Sequence, residues 1–126
     1  MKTNYFLFFN LAIHEQMSSI EDNIYNIAIL GIIKNSFSYV GEDTMDIVIS
    51  NILDLSSEYF DSFEVFHKAF RQQDITGNAN LDLIIWNALQ VDTFLFELFK
   101  FMHENKKSFK ENSLDNNLFD FLSSSF

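Results

Sequence analysis

The chain has no proline and only three glycines in 126 residues, Gly31, Gly41 and Gly77, and this shortage of chain breakers constrains its fold more than any other feature. Inside a helix, proline costs about 3 kcal/mol and glycine about 1 kcal/mol relative to alanine, so a sequence nearly without them sets few obstacles to helix propagation. Apolar residues recur accordingly. Met45, Val48, Ile49, Ile52 and Leu53 follow i, i+3, i+4, i+7 and i+8, one face of a helix that Asp43 or Thr44 can cap.

Further along, Tyr59, Phe60, Phe63, Phe66 and Phe70 fall within roughly 120° of a helical wheel, with Glu58, Asp61, Glu64, Lys68 and Arg71 mainly opposite. Ser56 and Ser57 separate this fourth helix from the third. Thr76, Gly77 and Asn78 end it, and helical spacing resumes from Asn80 to His103 with a break near Val91 and Asp92. In the second half of that stretch Phe94, Leu95, Leu98, Phe99, Phe101 and Met102 span roughly 160°, with Phe96 beyond the arc, a pattern that belongs in the centre of a bundle.

The ends of the chain are less regular. Asn4 to Gln16 suits helix or strand by its aromatic content. Ser18 precedes Glu21 by three residues, a capping-box pattern, and a second helix is expected from about Ser19 to Asn35 with Ile20, Ile24, Ile27, Ala28 and Ile32 or Gly31 on its inner side. Asn105 to Asn112 reads as a loop, after which Ser113 can cap a short last helix carrying Leu114, Leu118, Phe121 and Leu122. These spacings predict an all-α fold: one compact domain, residues 1–126, of six or seven helices.

With 48% hydrophobic and 21% charged residues, the composition is that of a globular chain and lacks the signature of disorder. Cysteine is absent, which removes disulfides, thiolate metal sites and Cys nucleophiles. Tyr5 to Ile13 resembles the core of a signal peptide behind Lys2, yet Asn10 interrupts it and no small-x-small cleavage site follows, so the cytoplasm is expected. No apolar run reaches the ~18 to 20 residues of a membrane span.

Eighteen acidic residues against eight basic ones leave a formal charge of -10, which repels nucleic-acid backbones and anionic lipid but suits a basic protein surface. The imbalance is concentrated. Between Lys34 and Lys68 there is no Lys or Arg, while Glu42, Asp43, Asp46, Asp54, Glu58, Asp61 and Glu64 all lie in that interval. Lysines 100, 106, 107 and 110 suggest a basic end opposite the acidic one, a solvated group of cations that complements a helix C-terminus and not a nucleic-acid site.

Signals for chemistry are sparse. Glu64 and His67 form an E-x-x-H pair, but a helical di-iron site needs a second pair and two further Glu, and neither His14 nor His103 has a Glu three residues earlier. Walker, G-x-G-x-x-G, G-x-S-x-G and zinc spacings are missing. No metal, cofactor or catalytic activity is expected, and Trp86 reads as core.

A small, Cys-free, acidic chain rich in Phe, Ile and Asn, with the acidic stretch Glu42 to Glu64 set among helical Phe positions, resembles the immunity proteins of bacterial toxin systems, including contact-dependent growth inhibition. The resemblance implies a cytoplasmic inhibitor that covers the basic active-site or substrate-binding surface of a cognate toxin, commonly a nuclease, with no direct contact to nucleic acid. Asp46, Asp54, Glu58, Asp61 and Glu64 are the carboxylates expected to meet it. A DNA-mimic inhibitor of phage or plasmid origin, or a small helical regulator, shares the same acidity.

Overall fold

The computed structural model describes residues 4–19, 24–91, 93–110 and 119–123, and among them every regular element is helical. In chain order they are α1 (Tyr5–Ser19), α2 (Ile24–Val40), α3 (Glu42–Leu53), a 3-10 turn (Ser57–Phe60), α4 (Phe63–Gln72), α5 (Ala79–Leu89), α6 (Phe94–Glu104) and α7 (Lys106–Lys110), with residues 119–123 helical as well. No helix among the described residues is long and apolar enough to cross a membrane.

Phenylalanine rings tie these helices together. Phe9 of α1 stacks on Phe37 of α2 at 5.2 Å and on Phe99 of α6 at 5.5 Å. Phe99 in turn lies 6.0 Å from Phe66 of α4, which meets Phe96 at 5.3 Å. On the other side of α1, Phe8 takes Phe109 edge-on at 4.6 Å and approaches Phe101 and Phe121. Such offset and edge-on pairs add about 0.5 to 1.5 kcal/mol each to simple burial. Helix α6 buries Phe94, Leu95, Phe96, Leu98, Phe99 and Met102.

Local signals place the helix ends. Gly41 precedes α3 with φ 107° and ψ 149°, a conformation essentially reserved for glycine. The helix therefore begins at Glu42, and Asp43 and Thr44 lie inside its first turn instead of capping it. Asn78 caps α5, its side chain accepting from the Asn80 and Leu81 amides at 3.0 and 3.2 Å, which satisfies donors left free by helix geometry.

Several expectations change. The N-terminal segment is helical. Ser18 lies within α1 and its hydroxyl donates to the His14 carbonyl at 3.0 Å, so it is spent on its own helix; Glu21 and Ile20 lie outside the described residues. Tyr59 and Phe60 belong to the separate 3-10 turn, because the chain restarts at Ser62 before α4. Residues 106–110, expected as loop, form α7, driven by burial of Phe109 against Phe8. Phe96 is buried, since Phe63 and Phe66 of α4 cover it, whereas Phe101 is half-buried. Ser113, Leu114 and Leu118 lie outside the described residues.

The largest correction concerns α2. Leu30, Ile33 and Phe37 face the core, while Ile24, Ala28 and Ile32, expected inside, face solvent. The helix is apolar on both sides, so its periodicity could not choose a face; the contact of Phe37 with Phe9 does.

Candidate binding surface

The last turn of α3 leaves carbonyls without helical partners, and the Leu53 carbonyl receives two donors from distant sequence. His103 Nδ1 lies 2.8 Å from it and Lys106 Nζ 3.0 Å. A carbonyl only accepts, so Nδ1 carries the proton. His103 is held there by stacking on Phe60 at 4.1 Å. Phe60 is itself buried, and it pins the 3-10 turn between α3 and α4.

On this pinned segment stand Asp54, just after α3, Glu58 in the 3-10 turn, Asp61 just after that turn, and Glu64 in the first turn of α4. All four are exposed. Glu64 lies where the helix dipole favours an anion. Lys106 comes within 3.9 Å of Asp54, the separation of a weak, solvent-screened pair. This lysine, expected at an end opposite the carboxylates, is carried by α7 to the acidic segment itself.

Asp46 has a different job. It is 8% exposed, and its carboxylate accepts from the Phe6 amide at 2.8 Å, serving as a cap for the N-terminus of α1 from 40 residues away. A charged acceptor there satisfies a free amide and complements the helix dipole. It is thus withdrawn from the candidate surface. Asp46 and Asp54 both bear on Tyr5: burial pushes its phenol above the ordinary value, and the charges of Asp54 and Asp46 push it the same way.

The acidic segment leads into α4, whose C-terminal end borders a groove of about 790 Å³ lined by Phe70, Arg71, Gln73, Asp74, Leu83 and Trp86, among others. Trp86, expected as core, is half-buried here. His67 stacks between Phe63 at 5.6 Å and Trp86 at 5.7 Å, and the Arg71 guanidinium lies 5.5 Å from the indole centroid. The E-x-x-H histidine is thus a rung of a ring ladder. Asp82 is buried below the groove and accepts from the Thr76 amide at 3.0 Å, which fastens the 73–78 loop to α5.

Sequence reasoning missed this groove because its walls come from two helices and a loop. One signal was present: Arg71 and Trp86 flank the turn residues Thr76, Gly77 and Asn78 that fold α5 back onto α4. Comparison with protein-family models, curated proteins and solved structures finds no match to this chain.

Proposed function

We propose that this protein is an immunity-type inhibitor: a cytoplasmic binding protein that neutralises a cognate bacterial toxin domain by docking on its basic substrate-binding surface. A nuclease domain is the partner whose surface chemistry fits best, because a cleft built for phosphates is lined with Lys and Arg. The observation that carries this reading is the run of exposed carboxylates Asp54, Glu58, Asp61 and Glu64 on one segment anchored by buried Phe60. An anchored segment presents its charges without a large ordering cost on binding.

Complementary potentials act mainly on encounter and orientation. Reversing three charges together, in a Glu58→Lys, Asp61→Lys, Glu64→Lys variant, is expected to slow association with the toxin domain about tenfold or more at low salt and to flatten the salt dependence of the rate. The partner is sought in the neighbouring reading frame, as a large secreted protein with a variable C-terminal domain. Stopped-flow association, with toxin activity measured in parallel, makes the comparison. Unchanged rate and affinity in the triple variant would rule this surface out, and binding to several unrelated DNA-binding enzymes would replace the reading with DNA mimicry.

A further inference from the structure

Helix α2 carries one charge, Lys34, in its 17 residues, in a chain where 21% of residues are charged. Its outer side holds Ile24, Tyr25, Ala28, Ile32, Asn35 and Tyr39 within roughly 100° of the wheel. Four of these are large apolar or aromatic groups standing in solvent: Ile24 is 80% exposed, Tyr25 68%, Ile32 54% and Tyr39 95%. A helix apolar on both sides is ordinarily covered on both.

Two grooves flank this face along the seam with α5. One lies between Tyr25, Asn26 and Ile29 of α2 and Asn87 and Gln90 near the end of α5. The other joins Asn35 and Tyr39 to Asn78, Asn80 and Ile84 near the start of α5. The two helices therefore run antiparallel, and every described residue lining either groove is uncharged. Aromatic residues without charges compose the buried centre of protein interfaces.

We infer that this face is a homodimer interface, in which α2 packs antiparallel on α2 of a second copy with Ile32 on the two-fold axis. The spacing is self-complementary. Tyr25 and Tyr39 stand seven residues to either side of Ile32, about 21 Å apart along the helix, so each copy's Tyr39 meets the groove beside Tyr25 of the other, as a two-fold interface requires. The four large side chains offer roughly 600 Å² per copy, and the groove walls bring the area close to the ~800 Å² per partner of a standard interface. A second copy suits the face electrostatically, because α2 brings no carboxylate to it and no charged residue lines either groove among the described residues. This face shares no residue with the Asp54 to Glu64 segment.

Sedimentation of the full chain across concentration tests this. Dimerisation is expected, strengthening as added salt screens the repulsion between acidic copies. Ile32→Glu and Tyr39→Glu, both at exposed positions, should each leave a folded monomer by circular dichroism. The absence of native cysteine permits a second measurement: Ile32→Cys should form an oxidative cross-linked dimer far faster than Lys68→Cys on the exposed side of α4. A wild-type monomer persisting to about 1 mM, dimers unaffected by either Glu substitution, or equal cross-linking at positions 32 and 68 would each overturn the interface.

Discussion

Asp46 and Tyr5 show how one residue's surroundings override what its type suggests. Both carboxylates, Asp46 and Asp54, belong to the same acidic stretch, yet one is buried on an amide and the other is exposed. Asp46→Ala should cost about 2 kcal/mol of unfolding free energy, since it leaves the Phe6 amide without that charged acceptor, and Asp46→Asn, which keeps an acceptor, should cost less than half as much. Urea titration of both variants measures the difference. For Tyr5 the folded phenol holds its proton more tightly than the unfolded one, so its contribution to stability is complete below about pH 10 and is lost as pH rises through the folded pKa. The urea midpoint should fall on going from about pH 8 to about pH 11, and Tyr5→Phe should fall less steeply. Equal slopes would count against the phenol.

Among the elements, α2 is the one whose orientation a measurement can check most directly. Phe37 is fully buried and Tyr39, two residues on, is 95% exposed. Phe37→Ala is expected to cost about 3 to 5 kcal/mol, as for large-to-small changes in a core, while Tyr39→Ala, compared with wild type at protein concentrations low enough that both are monomeric, should change stability by no more than about 0.5 kcal/mol. The reverse ranking would mean that the opposite side of α2 faces the core. The start of α3 gives a second check at this scale: a Cβ at Gly41 meets no neighbour, so Gly41→Ala probes backbone conformation alone. Its φ of 107° should make that substitution cost about 1 to 3 kcal/mol, read as a lowered melting temperature.

For the whole molecule, charge and apolar surface are distributed differently, and this separates two kinds of association. Contacts through the Asp54 to Glu64 segment should weaken as salt rises, whereas contacts through the uncharged α2 face should strengthen. The scarcity of Gly and Pro together with apolar residues recurring at helical spacing made the all-α class legible from sequence alone, because both are local properties of the backbone and its side chains. The inner stripes of α3 and α4 were legible for the same reason, since polar residues opposite them left a single choice of face. Which side of α2 turns inward, whether Asp46 reaches water, and where Lys106 ends up are decided by contacts 28 to 53 residues apart in the chain, Phe37 on Phe9, Asp46 on Phe6 and Lys106 on Leu53. No local pattern encodes such contacts, so only the packed tertiary structure could assign them.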